Sequence, residues 1–361
     1  MSDLKYWVAL DAIGGLGRVR FGLIETFFPS MEDAWRADRS ELRAAGLDEW
    51  TCRRIAERRQ RVDPDSLMAV VEEHGIHVYT WRDPGYPGPL AEIEDRPPVL
   101  FVKGQLTDSD RWSIAVVGTR RATPYGRQVA EQMSTGLSRN GITIVSGLAR
   151  GIDAIAHRAA LQCGGRTVAV LACGLDMMYP PEHLRLAQAI TEQGALVSEY
   201  PPGTEPRGEY FPRRNRILSG LSLGVLVVEG DVKSGALITA RQALEQNREV
   251  FSVPGSIYSD ASRGTNSLIK DSAAKLVLSV DDILEELNLT MAAHQLEMKE
   301  LLPSDASESA LLEHLSLEPR HIDEVRRSAG LEISEVSSTL AMLELKGLVR
   351  QVGTMNYVRT H

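Results

Sequence analysis

Cysteine is nearly missing: the chain has three in 361 residues, Cys52, Cys163 and Cys173. An odd number without paired metal-ligand spacing argues against a disulfide framework or a zinc site, and the three read as small buried hydrophobes in a reducing compartment. No apolar run approaches the roughly 20 residues of a membrane span. Met1 to Leu10 does not pair a basic segment with an apolar one as a secretory leader does, so the expectation is a cytoplasmic protein with no membrane partner. Positive charge is not in excess either. Forty Lys and Arg against 49 Asp and Glu leave a formal charge of −9, so any affinity for a polyanion must come from a local concentration of cations. Internal repeats are absent, as are the Gly-x-Gly-x-x-Gly and Gly-Lys-Ser/Thr spacings of dinucleotide and P-loop sites. Ordinary NAD or ATP chemistry is therefore disfavoured, and no cofactor is expected.

What is present is an ordinary globular composition, 43% hydrophobic and 25% charged, long enough for more than one domain. Residues 1–66 read as a small helical domain with glycine-bearing turns at Ile13-Gly14-Gly15-Leu16-Gly17 and Ala45-Gly46-Leu47-Asp48. Residues 67–289 read as an α/β domain. Two strands, Ile76 to Thr80 and Val99 to Val102, precede continuous apolar runs at Ile114 to Val117, Ile142 to Val145, Val168 to Leu171, Leu196 to Ser198, Val225 to Val228 and Val250 to Val253. Most of these runs lead through a glycine turn into a helical pattern, as in a doubly wound parallel sheet covered on both faces. Residues 290–307 read as a linker. Residues 308–361 give helices at Ser309 to Ser316, Ile322 to Ala329 and Ser334 to Lys346, then two short strands, the pattern of a winged-helix domain.

In open parallel sheets, function gathers in the loops leaving the carboxyl ends of the strands. Here the first such loop carries Gly118, Thr119, Arg120 and Arg121, and the second carries Ser146, Gly147 and Arg150 before Gly151-Ile152-Asp153, where Asp153 is expected to cap a helix. A third, Ala172-Cys173-Gly174-Leu175-Asp176, opens the same way. The densest charge is Arg207-Gly-Glu-Tyr-Phe211-Pro-Arg213-Arg214-Asn215-Arg216, four arginines with two adjacent rings. Guanidinium groups pair with phosphates while an unstacked base lies on a ring, which suits a single strand. Core packing of Tyr210 and Phe211, and a solvated face for the arginines, are the plainer readings. The loop after the fifth parallel strand adds Lys233, Ser234, Gly235 and Thr239, with Glu229 and Asp231 nearby.

The ordered set Val117-Gly118-Thr119-Arg120, Ser146 to Asp153 with Ala156-His157, Phe211 to Ile217, Ser234 to Thr239, Val253-Pro254-Gly255 and Gly264 to Ile269 resembles the DprA (Smf) DNA-processing family. The resemblance covers roughly Asp65 to Leu287. It implies an extended Rossmann-like domain that binds single-stranded DNA, forms a homodimer and hands the strand to the RecA recombinase during natural transformation, with no covalent chemistry of its own. Carried over by position, Arg120 should contact phosphate, Phe211 should lie beside a base, Lys233 should line the same basic pocket, and the segment near Leu268 should join the dimer contact. Two departures stand out: Ser272 where the family usually has glycine, and Gly208 where it often has lysine.

The flanking domains stay open. The N-terminal one is similar to helix-hairpin-helix or sterile-alpha-motif-like modules; its hairpins could hold a duplex phosphate, or serve a structural or protein contact. In the C-terminal one, Glu335 and Glu344 against Lys346 fit a protein contact better than a DNA groove. His157, on a partly apolar helix, reads as packed rather than catalytic. The competing reading of the crevice is a nucleotide or nucleoside hydrolase using Glu229 or Asp231.

Overall fold

A computed structural model describes residues 3–287, 311–312, 314–316, 319–331, 333–345, 349–352 and 355–359. The expected linker at 290–307 lies outside the described residues, as do Lys346 and the Gly353-Thr354 turn. The chain divides into two compact units, Met1–Ile283 and Leu284–His361.

The first unit begins with six helices: α1 (Leu4–Ile13), α2 (Arg18–Phe27), α3 (Met31–Arg36), α4 (Arg39–Ala44), α5 (Glu49–Arg59) and α6 (Pro64–Glu73). Short polar side chains start most of them by accepting from free first-turn N–H groups: Ser30 for α3, Asp38 for α4 in a reciprocal box with Glu41, Asp48 for α5 and Asp63 for α6. Their apolar faces meet around Trp7, which stacks on Phe21 at 5.7 Å and meets Trp81 edge-on at 6.0 Å.

Nine strands follow: β1 (Ile76–Thr80), β2 (Val99–Gly104), β3 (Ser113–Gly118), β4 (Thr143–Ser146), β5 (Thr167–Val170), β6 (Ala195–Ser198), β7 (Gly224–Glu229), β8 (Glu249–Ser252) and β9 (Lys275–Leu276). They form one sheet in the order β1-β2-β6-β5-β4-β3-β7-β8-β9. The pairs β1·β2 and β2·β6 are antiparallel and every other pair is parallel. The parallel strands are buried on both faces, as their unbroken apolar runs require. The helices interleaved with them are α7 (Gly88–Glu92), α8 (Pro124–Arg139), α9 (Ile152–Gln162), α10 (Leu184–Gln193), α11 (Tyr210–Leu221), α12 (Gly235–Glu245), α13 (Arg263–Lys270) and α14 (Val280–Glu286). One core layer joins α9, α10 and the N-terminal helices to β2, β5 and β6; the other joins α7, α11 and α12 to the opposite face. This is the doubly wound arrangement read from the sequence, with an antiparallel edge added by β1 and β2.

From β3 the chain winds outward through β4, β5 and β6, then returns to lay β7 on the other side of β3. The strand order thus reverses between β3 and β7, and a crevice opens at their carboxyl ends. Among the departures, Ser272 holds φ at 54°, a left-handed conformation that glycine adopts without the Cβ penalty.

In the second unit, α15 (Ile322–Ala329) and α16 (Ile333–Leu345) pack with Leu311, Leu312 and Leu315. A three-stranded antiparallel sheet, β10 (Arg320–His321), β12 (Asn356–Arg359) and β11 (Val349–Gln351), completes a winged helix. The strand β10 was not among the sequence expectations: two residues carry no periodicity. No helix among the described residues is long and apolar enough to cross a membrane.

Candidate nucleic-acid interface

The crevice at the β3/β7 reversal is a cavity of about 460 Å³, walled by residues from five separate stretches of chain: Val117 to Arg120, Ala149 and Asp153, Tyr179, Pro206 to Leu218, and Gly235 to Thr239. Of the residues singled out in the sequence, Gly118, Arg120, Phe211, Arg214, Asn215, Gly235 and Thr239 line it directly. A recess beside it touches Gly147 and Arg150.

Close approach of the loops is what builds the site. Thr119 donates its N–H to the Glu229 carbonyl at 2.7 Å and accepts from the Ile152 N–H at 3.2 Å, so the first loop is stitched to strand β7 on one side and to α9 on the other. Gly151, at φ 77°, lies where any side chain would run into the Thr119 carbonyl; only glycine permits both the conformation and the contact. Leu148 also has positive φ, 55°, and persists there because its surroundings hold it. Its side chain is fully buried, its carbonyl accepts from His183 Nδ1 at 2.8 Å, and the N–H groups on either side, of Gly147 and Ala149, donate to Asp153 Oδ2 at 3.1 and 3.3 Å. Asp153 therefore binds the preceding loop, and Gly151 rather than Asp153 stands at the helix cap.

The cations separate into two sets. At the mouth, the Arg120 guanidinium lies 5.4 Å from the Phe211 ring centroid, and Tyr179 meets the same ring at 5.6 Å. Arg121, Arg207, Arg213 and Lys233 are exposed on the surrounding loops and the first turn of α11, with Arg207 5.9 Å from the Tyr210 ring. None of these five side chains forms an ion pair among the described residues. Lys233 precedes Gly235 by two positions and stands outside the cavity wall; Ser234 caps α12 by accepting from the Ala236 N–H at 3.3 Å.

The second set is engaged by partners within the protein. Arg214 is 4% exposed and donates to the carbonyls of Gly147, at 2.8 Å, and Val170. Burial lowers its pKa to about 10, opposed by the nearby Asp153 carboxylate, so it keeps its charge at neutral pH. The guanidinium forms part of the crevice floor, and a side chain on Gly147 would collide with it. Arg216 is drawn away from the crevice into ion pairs with Glu199 at 2.7 Å and Asp95 at 3.1 Å. Arg150 pairs with Glu182, and the buried Ser146 hydroxyl donates to the Val116 carbonyl at 2.6 Å. Asn215, also buried, reaches the Gly235 carbonyl at 3.5 Å. The sequence puts all of these among the binding residues; in the fold Arg214 and Asn215 line the cavity and Arg150 the recess, while the Ser146 hydroxyl and the Arg216 guanidinium are turned to partners elsewhere.

Tyr179 was missed. It lies three residues beyond the third loop as the sequence delimits it, and its exposed ring, 43% open, meets Phe211 only in the folded chain. Glu229, the carboxylate of the hydrolase reading, is 2% exposed and accepts from Thr123 N–H at 3.0 Å and Thr123 Oγ1 at 2.6 Å. It tethers the first loop and does not face the cavity. His157 is fully buried with Nδ1 2.6 Å from Thr167 Oγ1, and burial takes its imidazole down to about 3.

Residues 77–288 match the family model described as DNA recombination-mediator protein A, and residues 295–353 match the DprA winged helix domain. The chain belongs to the DprA/Smf family. Protein Smf of Synechocystis is 34% identical over 99% of both chains. The DNA processing protein DprA of Bacillus subtilis is 47% identical over 61% of this chain and 74% of its own. Among solved structures, DprA of Streptococcus pneumoniae superposes with a TM-score of 0.67 at 36% identity, covering 78% of this chain and 97% of that one. The Helicobacter pylori DNA processing protein A, described for its single-stranded DNA binding mode, gives 0.54 at 30% identity, covering 60% and 96%. The fold above is therefore that of a DNA-processing family.

Proposed function

We propose that this DprA-family chain binds single-stranded DNA at the β3/β7 crevice, protects it, and loads the RecA recombinase on it during natural transformation, without covalent chemistry of its own and in the cytoplasm. The observation that carries the reading is Arg120 held over Phe211 at the cavity mouth, with no carboxylate within ion-pair distance of the guanidinium among the described residues. A phosphate can take the free N–H groups of Arg120 while a base lies against Phe211 or Tyr179, and stacking of this kind contributes roughly 1–3 kcal/mol per base. Arg121, Arg207, Arg213 and Lys233 then follow the backbone on either side. Gly118, Thr119, Ser146, Gly147, Arg150, Arg214, Asn215, Arg216, Ser234, Gly235 and Thr239 shape or brace the crevice. The binding of single strands by the H. pylori relative points the same way. The acidic whole and the cationic mouth together favour a directed polyanion contact over general stickiness.

Homodimerisation is part of the proposal. Leu276 and Leu278 at the edge strand β9, and Ile257 and Tyr258 in the loop after β8, are 43%, 74%, 78% and 92% exposed. Leu276 lies on the edge strand of the sheet, paired with Ser252, while Leu268 itself packs into the core. The test is a polarisation titration of dye-labelled oligothymidylate at several salt concentrations. Tight binding with a steep negative salt slope is expected for single strands; release of free base from a nucleotide would overturn the assignment in favour of hydrolysis. Faster displacement of single-strand-binding protein by RecA on addition of this chain, read as RecA ATPase, tests the loading step.

A further inference from the structure

A second cluster of rings and cations lies on the N-terminal helices, outside the crevice. Helix α5 carries Trp50, Arg54 and Arg58 at intervals of four, so the three share one face. The Trp50 ring is 55% exposed, and two guanidinium groups lie over it, Arg54 at 4.9 Å and Arg20 at 5.8 Å from its centroid. The α1–α2 hairpin anchors the arginines. The Ile13 carbonyl accepts from Arg54 Nε at 3.3 Å and Arg58 Nη1 at 2.8 Å, and the Gly14-Gly15 backbone passes beside Arg54. Arg20 shares its charge with Asp48 at 3.0 Å, whereas Arg54 and Arg58 meet no carboxylate within ion-pair distance among the described residues. An open indole braced by guanidinium groups rather than by apolar side chains is built to receive a flat ligand with charge at its edge.

The cluster borders the helix that carries the crevice rings: Arg20, which lies over Trp50, walls a common cavity with Arg216 of α11. Tyr210 stacks on Tyr200 at 4.4 Å and lies under Arg207, and the next residue, Phe211, carries Arg120 at the mouth. Rings and cations thus alternate from Phe211 with Arg120, through Tyr210 with Arg207, to Trp50 with Arg54 and Arg58. We propose that the Trp50 face is a second subsite for the same polynucleotide: a strand leaving the crevice crosses Tyr210, stacks a base on Trp50 and lays its phosphates on Arg54 and Arg58. The inference rests on the crevice binding single-stranded DNA. A single strand is favoured over a duplex because only an unpaired base offers a free face to the indole.

The test uses the full chain, wild type against Trp50→Ala and Arg58→Gln, with dye-labelled oligothymidylates of increasing length and a matched duplex. Because Trp50 is exposed, Trp50→Ala should keep the wild-type melting temperature; Arg58→Gln loses its hydrogen bond to the Ile13 carbonyl, so its melting temperature is read alongside the affinities. Wild type should tighten at the length that first spans both subsites, while each variant stays at the short-oligomer affinity, a loss of about fivefold or more on the long strand. Identical length dependence in wild type and variants would overturn the second subsite and leave the crevice reading intact. No binding of any oligomer by wild type would overturn the crevice reading and this one with it. A loss confined to the duplex would replace the proposal with a double-strand contact.

Discussion

The four arginines of the run from Arg207 to Arg216 divide into two pairs with opposite fates. Arg207 and Arg213 stand in solvent beside the crevice, whereas Arg214 is sealed beneath it and Arg216 is locked to Glu199 and Asp95. Successive helix residues point about 100° apart, so adjacent arginines on α11 cannot share one surroundings. Outside, a guanidinium without a carboxylate partner is available to a ligand. Inside, the same group must be fully hydrogen-bonded, and it becomes a brace for the loops that form the site.

The widest test of that contrast is Arg214→Ala. Removing the guanidinium strips the Gly147 and Val170 carbonyls of a donor and leaves Asp153 without its nearby countercharge. A loss of about 3–5 kcal/mol in urea-unfolding stability is expected, with DNA binding falling as a consequence; a stable Arg214→Ala protein would remove the distinction between floor and mouth. Arg120→Ala should do the reverse: the melting temperature stays unchanged, while affinity for oligothymidylate drops about tenfold, or roughly 1.4 kcal/mol, and the salt slope shrinks by about one unit.

Asp11 extends the contrast to the opposite sign. Its Oδ2 is shut off from water without a partner, and burial, followed by the nearby Glu199, holds its carboxyl well above the ordinary value of 3.8. The unfolded chain therefore ionises this group at a lower pH than the folded one, so the residue costs stability increasingly as pH rises above about 4. Asp11→Asn should raise stability by about 1 kcal/mol at pH 8 and by progressively less toward pH 4; an advantage that grew on acidification would contradict the burial argument. The smallest effect is expected for Lys233→Ala, whose side chain lies outside the cavity wall. A two- to threefold loss of affinity with no change in melting temperature would place it on the path of the backbone, and an unaltered salt slope would take it off.

Much of the architecture was legible before any coordinates. Buried parallel strands need continuous apolar runs, and each of the six runs from Ile114 onward appears as a strand within a residue or two of its expected limits. The glycine-bearing loops and the Phe-Pro-Arg-Arg-Asn-Arg segment likewise converge on one crevice, because parallel strands deliver their loops to one edge. The roles inside that crevice were less legible. Ser146, Arg150 and Arg216 look like ligand contacts in a linear reading, yet each is committed to a carbonyl or a carboxylate brought from 30, 32 and 17 residues away. Tyr179 and the braced Trp50 escaped notice for the matching reason: their significance comes from neighbours that sequence distance conceals.

By itself the order of residues determined strand and helix identity and the doubly wound plan, since these follow from periodicity, capping and turn chemistry acting over short range; the family entered by resemblance of its ordered motifs, and the candidate crevice by the rule that parallel strands deliver their loops to one edge. Which arginines remain free, which carboxylates are hidden, and which rings face solvent were decided only when the chain closed on itself. Those outcomes depend on the surroundings of each charge, and desolvation and ion pairing are properties of packed neighbours rather than of the residue that carries the charge.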